Sequence, residues 1–434
     1  MRLSKKVLLV SLVLVLAAGM VFAGGSKDTA KKQGKVLTIY CWNDEFQTRF
    51  NDYFAAKGLV PDGIEVNWVI TPNDGNAYQN KLDEALLRQN SASERDIIDI
   101  FLVEADYALK YVDTPFTLDV FKDVGLTSAD VANQYKYTKD IMTDSKGVLK
   151  GVSWQACPGG FIYRRSIAKA VLGTDDPAKV QEALSSWDKF DAVAAQAKAK
   201  GYFMLSGFDD AFRVFSDNAK TPWVGAGDKI QIDANIERWI EQTKTYTDKG
   251  YNNKANLWSA ESWAGGMKDG KVFGYFGPSW FQDFCLAPAV DTAGDWAVCT
   301  GPQGFSWGGT WICAAAGTDN IDLVKQVMLT LTTDKDTLVA IAQEAGDFTN
   351  HEGAMAEIAK SSYGNPFLGG QNHIAYLLES AKKIDRSSMG PYDQGMTETI
   401  QASFADYFNG SVTKGQAWDN FYKGIIEKYP NLKK

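Results

Sequence analysis

Apolar and polar positions follow two alternating patterns in the N-terminal third of the chain. Short apolar runs typical of strands alternate with stretches that have helical spacing. The predicted strands are residues 35–42, 64–70 and 97–103, and the predicted helices are a stretch that ends at Lys57, before Gly58, and residues 78–88. This order of strand, helix, strand, helix and strand predicts a parallel sheet with helices on both faces.

A second series of elements follows a less regular region, residues 111–150. Its predicted strands are residues 161–163, 272–276, 296–299 and 310–315. Its predicted helices are residues 166–172 and 187–200 and a mainly helical tail from Asn320 that finishes with residues 413–429. Two α/β units with a shared tail predict two lobes. Because ligands bind outside the carboxyl ends of strands in open α/β sheets, we expect a ligand cleft between the lobes.

The N-terminus has the pattern of an export signal over residues 1–23. Basic residues precede an apolar run, residues 7–18, and permissive residues follow up to Ala23, where we expect cleavage. The apolar run is shorter than the roughly 20 residues that span a bilayer. No cysteine stands at the cleavage point, so we expect no lipid anchor. Residues 24–34 are predicted to be a polar linker.

Acidic residues outnumber basic ones, and the formal net charge is −8. Removal of the basic leader makes the chain still more acidic. Nucleic-acid binding needs a basic surface, so we expect neither nucleic acid nor an anionic membrane face as a partner. Hydrophobic residues make up 45% of the chain and charged residues 23%, which is typical of a soluble globular protein. The length predicts two or three domains.

Few residues suggest a catalytic centre. The chain has two histidines, His351 and His373, whereas a catalytic zinc site usually takes two or three of them. Residues 151–155 come nearest to a hydrolase nucleophile elbow but lack its last glycine. Cys157 is followed by proline and has no identifiable histidine partner. We therefore predict that the protein is not an enzyme and needs no metal or cofactor.

Five cysteines remain after the predicted cleavage: Cys41, Cys157, Cys285, Cys299 and Cys313. Their spacing fits no zinc or thioredoxin motif, and an odd number leaves at least one thiol unpaired. An exported protein can hold disulfides, so one or two remain open, although the sequence gives no pairing. Buried free thiols are the alternative.

Acidic residues follow two of the predicted strands. Asp44 and Glu45 lie at the end of the first, and Glu104 and Asp106 at the end of the third. A glycosidase needs two carboxylates that flank the scissile bond. A binding cleft uses the same side chains to bond sugar hydroxyls, and solvated helix caps would also explain them. The sequence leaves these alternatives open.

Tryptophan gives the positive signal. The chain has thirteen, and several lie beside glycine or in predicted loops: Trp42, Trp223, Trp258, Trp263, Trp280, Trp307 and Trp311. Indole offers a large apolar face and one polar group, so it can stack on the C–H face of a sugar ring. Core packing is the alternative for each one. We assign Trp68, Trp187, Trp239 and Trp418 to packing because they lie within regular elements.

Four blocks appear in a familiar order over residues 36–345: "LTIYCWNDEF", "RDIIDIFLVEADYALKYV", "GVSWQACPGGFIYRRSIAKAVLG" and "WAVCTGPQGFSWGGTWICAAAGTDN". In this order they resemble the carbohydrate-binding extracellular solute-binding proteins of bacterial ABC importers, the family that includes maltose-binding protein. The second block departs from the family because residues 96–99 lack its proline. Beyond residue 350 the resemblance is weaker.

The resemblance implies an α/β fold with two lobes, the type II periplasmic-binding-protein fold. Residues 36–150 and 300–345 would form lobe 1, and residues 151–299 and 346–434 would form lobe 2. A hinge of crossing strands would join them, with the ligand bound in between. Residues 153–163 look like the first crossing, where Pro158, Gly159 and Gly160 suit a backbone that bends.

Matching positions in the family imply a set of ligand contacts. The stronger candidates are Trp42, Asn43, Asp44, Glu104, Asp106, Trp154, Trp280, Gly309 and Trp311. The weaker candidates are Tyr78, Asp209, Trp223, Trp263, Asp347 and Tyr392. Packing in the cleft wall or the core is the alternative for each of them.

The resemblance also implies a function, that of the periplasmic substrate-binding component of an ABC sugar importer. A monomer would capture a mono- or oligosaccharide by hinge closure and deliver it to the permease subunits in the membrane. A polyamine or a peptide is the alternative ligand, and an exported glycosidase is the alternative from another class. A protein without a lipid anchor fits a periplasm enclosed by an outer membrane.

Overall fold

The computed structural model describes residues 33–260 and 262–434. The predicted export signal, residues 1–23, and residues 24–32 of the predicted linker lie outside the described residues. Residues 34–434 form one unit with a continuous network of contacts. In the described residues, no helix is long and apolar enough to cross a membrane.

The described residues contain thirteen strands, which we number in chain order. They are β1 Val36–Cys41, β2 Glu65–Ile70, β3 Ile100–Glu104, β4 Val152–Ser153, β5 Pro158–Arg164, β6 Leu205–Gly207, β7 Val224–Gly225, β8 Lys229–Ile230, β9 Asn252–Ala255, β10 Gly274–Gly277, β11 Trp296–Cys299, β12 Phe305–Ser306 and β13 Thr310–Ala314.

Seventeen α-helices are present in the same residues. They are α1 Glu45–Tyr53, α2 Ala77–Arg88, α3 Leu109–Val112, α4 Lys136–Ile141, α5 Arg165–Leu172, α6 Pro177–Ala183, α7 Trp187–Ala199, α8 Phe212–Ser216, α9 Ala234–Lys249, α10 Trp263–Asp269, α11 Ala287–Ala289, α12 Ile321–Thr332, α13 Lys335–Ala345, α14 Glu352–Lys360, α15 Ile374–Ala381, α16 Asp393–Phe408 and α17 Lys414–Lys428. A π-helix, Phe281–Leu286, precedes α11.

The first sheet has five strands in the order β2-β1-β3-β13-β4. β1 is parallel to β2 and β3, which confirms the predicted parallel unit, whereas β13 is antiparallel to β3 and β4. β3 begins at Ile100, three residues later than predicted. The side chain of Gln89 explains the difference, because it bonds both the N–H and the carbonyl oxygen of Ile98 and occupies those groups before the strand begins.

The second sheet is built around β5, which is antiparallel to β10, β11 and β12. The parallel pattern of the first unit therefore does not recur in this sheet, although β6 and β9 form a short parallel pair elsewhere. The glycine pair inside β5 is required by close packing. A Cβ on Gly159 would lie 2.1 Å from the ring of Phe305, and one on Gly160 would lie 2.8 Å from the carbonyl oxygen of Cys299.

Adjacent segments connect the two sheets. Residues 154–157 join β4 of the first sheet to β5 of the second, and residues 307–309 lead back from β12 to β13. Residues 346–350, after α13, run beside them. The N–H of Trp307 donates to the carbonyl oxygen of Cys157 at 3.2 Å, and that of Ala156 donates to Phe348 at 3.0 Å. The predicted crossing thus lies where the chain passes from one sheet to the other.

Separate groups of buried apolar side chains cover the two sheets. Ile39, Val103 and Ile312 belong to the group around the first sheet, and Phe161 and Phe276 belong to a group around the second. This arrangement is consistent with two lobes. The lobe boundaries that the resemblance implies stay a prediction.

All five cysteines lie in the described residues and are free thiols, four of them buried and Cys285 half-buried. Burial is the largest cause that raises the pKa of each, to about 12 for Cys41 and about 11 for Cys285. Free thiols, the alternative to one or two disulfides, therefore describe this structure.

Candidate ligand cleft

A cavity of about 700 Å³ opens where the carboxyl ends of β1 and β3 meet the segments that connect the sheets. Its size falls within the range of small-molecule sites, about 300–1,000 Å³. The lining residues are Trp42, Asn43, Glu45, Asn73, Asn76, Glu104, Asp106, Tyr107, Gln155, Asp209, Arg213, Leu257, Trp258, Trp280, Phe284, Cys285, Trp307, Gly308, Gly309, Thr310, Gln394, Thr397, Glu398 and Gln401.

The end of the first sheet supplies a wall of polar side chains, with the aromatic ring of Trp42 beside them. Trp42 and Asn43 follow β1, and Glu104 is the last residue of β3. Because β1 and β3 are parallel neighbours, their carboxyl ends meet at one edge of the sheet. Trp42 packs edge-on against Tyr107, with ring centroids 6.2 Å apart, and this contact fixes the indole at the mouth of the cavity.

Three tryptophans form the aromatic wall. Trp258 and Trp280 are nearly parallel, with an interplanar angle of 15° and centroids 6.3 Å apart. Trp307 crosses Trp280 at 73° with centroids 5.0 Å apart. The indole Nε1 of Trp280 donates to the carbonyl oxygen of Trp307 at 2.8 Å, so the ring is held in place. Trp258 is 59% exposed, and apolar area of that kind is available for a flat ligand.

One arginine faces the carboxylates of the polar wall. Arg213, on α8, donates two hydrogen bonds to Asp106 at 2.6 and 2.5 Å. Burial acts to raise the pKa of Asp106, but the charge and hydrogen bonds of Arg213 outweigh burial, and the pKa lies below its ordinary value. Glu104 has no such partner. Burial, and then the charge of Asp106, raise the pKa of Glu104 to about 8.

The helix α16 contributes the remaining wall from near the end of the chain. Gln394, Thr397, Glu398 and Gln401 line the cavity, and their spacing of three and four residues places them on one face of the helix. The side-chain amide of Gln394 donates to Asn76 at 3.3 Å, which links this helix to the start of α2.

A family model described as "Bacterial extracellular solute-binding protein" matches residues 49–361 of the sequence. The chain belongs to the bacterial extracellular solute-binding proteins. This family consists of ligand-binding transport proteins. In this solute-binding protein, the cavity described above is suited to hold a ligand. No curated protein sequence matches the chain.

Solved structures agree in fold over almost the whole chain. A crystal structure of an extracellular solute-binding protein of family 1 has a TM-score of 0.75 at 18% identity and covers 90% of this chain and 99% of that chain. The sugar-binding protein MalE from Xanthomonas citri has a TM-score of 0.68 at 14% identity, with 91% and 98% covered. An ABC transporter associated binding protein from B. animalis subsp. lactis, in complex with beta-1,6-galactobiose, has a TM-score of 0.67 at 17% identity, with 92% and 99% covered.

The structure brings part of the predicted contact set together in the cleft of this solute-binding protein. The candidates that line the cavity are Trp42, Asn43, Glu104, Asp106, Trp280, Gly309 and Asp209. The candidates outside the lining are Asp44, Trp154, Trp311, Tyr78, Trp223, Trp263, Asp347 and Tyr392. Whether the first group contacts a ligand remains a prediction.

Several candidates are buried in the core behind the cleft. Trp154 is 1% exposed and stacks on Phe46 with centroids 5.4 Å apart. Trp311 donates from Nε1 to the carbonyl oxygen of Thr138 at 2.9 Å. The hydroxyl of Tyr78 donates to the carbonyl oxygen of Leu102 at 2.6 Å. In this structure none of the three lines the cavity, contrary to the sequence-based expectation. Packing covers the rings, and backbone hydrogen bonds occupy the polar groups of Trp311 and Tyr78, whereas Nε1 of Trp154 is buried without a hydrogen-bond partner.

Two acidic candidates are also placed away from the lining. Asp347 is buried in an ion pair with Arg49, with an N–O distance of 3.1 Å. Asp44 is exposed at the start of α1. An ion pair and solvent, respectively, take up their carboxylates, and neither faces the cavity.

The remaining candidates are aromatic residues that pack elsewhere. Trp223 contacts Phe421, with centroids 6.2 Å apart. Tyr392 packs edge-on against Tyr429 at 5.0 Å. Trp263 is 5% exposed and packs behind Trp258 at 5.1 Å, so it supports the aromatic wall without lining the cavity.

Sequence reasoning did not place Trp258 and Trp307 in the cavity lining, although both belonged to the tryptophans found beside glycine or in predicted loops. It also missed Arg213, Tyr107 and the polar face of α16. The helical spacing of residues 394–401 was the available signal for that face. It was not used because the family blocks end at residue 345 and the polar face of a helix is more often turned to solvent.

Proposed function

We propose that this solute-binding protein is the periplasmic sugar-binding component of an ABC importer. The observation that carries the proposal is the combination, in one cavity, of an aromatic wall with hydrogen-bonding side chains. Trp258, Trp280 and Trp307 offer flat apolar faces, and Asn43 and Gln401 are among the amides that line the same cavity. A sugar ring presents the matching chemistry, since its C–H face is apolar and its edge carries hydroxyl groups.

The proposed mechanism is capture without a covalent step. The sugar enters the cleft, stacks on the tryptophans and bonds to the polar wall, and movement at the connecting segments closes the lobes on it. The closed protein then presents both lobes to the permease subunits. The MalE protein and the galactobiose-bound protein, which share the fold, are sugar binders, and their likeness supports the proposal.

A nucleophilic role for Cys157 has little support. Burial, followed by the charges of Asp347, Glu45 and Glu104, raises the pKa of this thiol well above its ordinary value, so at neutral pH it is protonated and a poor nucleophile. We propose binding without catalysis, and aryl glycosides should release no phenol when they are incubated with the protein.

The proposed location follows from the leader sequence. We propose that the chain is exported, cleaved near Ala23 and free of a lipid anchor, and that it acts as a monomer in the periplasm. Mass spectrometry of the protein recovered from that compartment gives the mature N-terminus and detects any acyl group.

A thermal-shift screen of the mature protein tests the ligand class. The screen includes mono-, di- and oligosaccharides together with polyamines, amino acids and peptides. A ligand that binds only the native state raises the melting temperature by mass action, so a sugar should give the largest shift. A shift with a polyamine or a peptide and none with any sugar would overturn the proposed function.

The variant Trp280→Ala tests the site. Its loss removes one face of the aromatic wall, and calorimetry should show sugar affinity weakened at least tenfold, about 1.4 kcal/mol. Trp418→Ala is the matched control, because Trp418 is also a half-buried tryptophan but packs between Phe404 and Phe421 outside the cavity. Equal affinity in the two variants would contradict the assignment of the cavity.

A further inference from the structure

Carboxyl groups exceed cations in the cleft. Among the described lining residues, the acids are Glu45, Glu104, Asp106, Asp209 and Glu398, and the cation is Arg213. Two of the acids have a cationic partner, since Asp106 pairs with Arg213 and Glu398 pairs with Lys428 at 2.9 Å.

The other three carboxyls, Glu45, Glu104 and Asp209, form no ion pair with the described residues. Burying an unpaired carboxylate is costly, and the pKa rises until the group is partly neutral. Burial is the largest cause for each of the three and raises the pKa to about 8 for Glu45, about 8 for Glu104 and about 6 for Asp209. A cationic ligand would relieve this cost more fully than a neutral ligand, whose hydroxyl groups supply hydrogen bonds but no opposite charge.

Glu104 is the carboxyl with the clearest opening towards the aromatic wall. Its Oε2 accepts the backbone N–H of Asp106 at 2.8 Å. Its Oε1 lies on the side of Gly308, where a Cβ would be 3.6 Å from this oxygen and 3.2 Å from Nε1 of Trp280. The carboxyl and the indole therefore both lie beside the backbone of Gly308, where any side chain larger than that of glycine would crowd Nε1 of Trp280.

Tyr107 gives an independent sign that a polar group is missing at this place. It lines the same cavity and is 5% exposed, and its hydroxyl is buried without a hydrogen-bond partner. Burial is the largest cause that raises the pKa of Tyr107, and the charge of Glu104 also contributes, which places the hydroxyl within the electrostatic reach of that carboxyl. A buried hydroxyl in a folded protein normally has a partner, so a ligand atom is expected beside it.

We propose that the sugar bound in this cleft carries a protonated amino group, held by the carboxylate of Glu104 and the hydroxyl oxygen of Tyr107 beside the indole of Trp280. An ammonium group supplies three donors, so it can bond both oxygens and keep one donor for another acceptor. The inference rests on the proposed function and specifies its substrate class as amino sugars.

The charged groups around Glu104 agree with this assignment. Asp106 adds negative charge, and Arg213 and Arg386 act on Glu104 from α8 and from the segment before α16. Both arginines are committed to other acids, Arg213 to Asp106 and Arg386 to Asp217. A ligand ammonium is therefore the group that would pair with Glu104, and an anionic sugar would meet unfavourable charge.

Calorimetry with matched sugars tests the proposal. Glucose, galactose and cellobiose are each measured in three forms that differ at C2: the hydroxyl, the free amine and the acetamide. We expect the free amine to bind at least tenfold more tightly than the other two forms near neutral pH, about 1.4 kcal/mol. Measurements in two buffers of different ionisation enthalpy should show that protons are released when the amine binds.

Two variants locate the amino group. Glu104→Gln should lose at least tenfold more affinity for the amine than for the matched neutral sugar, and Tyr107→Phe should lose part of the same preference with an unchanged fold. Asp52→Asn, which removes an exposed acid of α1 outside the cavity, should bind like the parent protein.

The outcomes separate this inference from the proposed function. Neutral or acetylated sugars that bind as tightly as the amines would overturn the inference and leave a sugar-binding protein. An unchanged preference in Glu104→Gln would remove the amino group from this position and overturn the inference as well. Binding of spermidine or putrescine with no binding of any sugar would overturn both.

Discussion

The ion pair between Arg213 and Asp106 gives the most specific prediction about the cleft. Their side chains come from α8 and from the loop after β3, and they are 17% and 27% exposed. Replacing Arg213 with methionine keeps most of the side-chain volume and removes its positive charge. Arg213 is the one cation among the described lining residues. Asp106 is then left beside Glu104 with no positive charge in direct contact.

The size of the effect follows from charge and burial. Two unit charges about 4 Å apart interact by about 4 kcal/mol at an effective dielectric constant of about 20. Removing one partner of a buried pair costs about 3–5 kcal/mol, because the other charge stays desolvated. The pair is partly exposed, so we expect Arg213→Met to lower the free energy of unfolding by about 2–4 kcal/mol at neutral pH.

The pH dependence has a definite sign. The pKa of Asp106 is lowered in the folded protein, so the pair stabilises the fold above the ordinary pKa of aspartate. This contribution is lost as the pH falls through the lowered value. In Arg213→Met the carboxyl is no longer held ionised, and its protonation relieves the cost of burying an unpaired charge. The deficit of the variant should therefore be largest near neutral pH and shrink below about pH 4.

Urea unfolding of the parent, Arg213→Met, Asp106→Asn and the double variant measures the coupling. We expect the double variant to be more stable than the sum of the two single effects predicts. The exposed pair Arg95–Glu65, with side chains 58% and 54% exposed, is the control, and Arg95→Met should cost less than about 1 kcal/mol. Additive effects, or a deficit that does not change between neutral and acidic pH, would refute the reasoning.

Further predictions concern the aromatic wall, the connecting segment and the thiols. Trp258→Ala should weaken sugar binding about fivefold or more. The free energy of unfolding should change by about 1 kcal/mol or less, because the ring is 59% exposed. An unchanged affinity by calorimetry would exclude this ring as a contact. Gly308 and Gly147 have φ angles of 72° and 81°, so alanine at either position should lower the free energy of unfolding by about 1 kcal/mol through backbone strain. Only Gly308→Ala should also lower the affinity for sugar, because only its Cβ would contact residues of the cavity. Ellman's reagent should label at most Cys285 in the native protein and all five thiols in denaturant. Rapid labelling of a second thiol in the native protein would contradict the burial of the other four cysteines.

Much of the fold could be predicted because its signals are local. The parallel unit of β1 to β3 follows from apolar runs separated by helical stretches. A 3-10 turn, Ala55–Lys57, follows α1 and ends before Gly58, which has φ 69°. Helix α7 begins after Ser186, whose side chain accepts the N–H of Lys189. Each of these features depends on residues within a few positions of one another, so the printed sequence contains them directly.

The site could be predicted only in part, and the tryptophans show why. Trp154 and Trp280 both lie near turn residues and look alike in the sequence. In the structure Trp154 is packed on Phe46, whereas Trp280 is half-buried in the cleft wall. Their difference depends on what the rest of the chain places against each ring, and no pattern of neighbouring residues reports that.

The sequence alone determined the family blocks, the parallel unit, the crossing near Pro158 and the acids at the ends of β1 and β3. The tertiary structure decided the antiparallel second sheet, the contribution of α16 and the partner of Asp106. Arg213 lies 107 residues from Asp106, and Gln394 lies 318 residues from Asn76. A strand or a helix cap is fixed by hydrogen bonds and spacing among near neighbours, but a cleft is made by side chains that only packing of distant segments brings together.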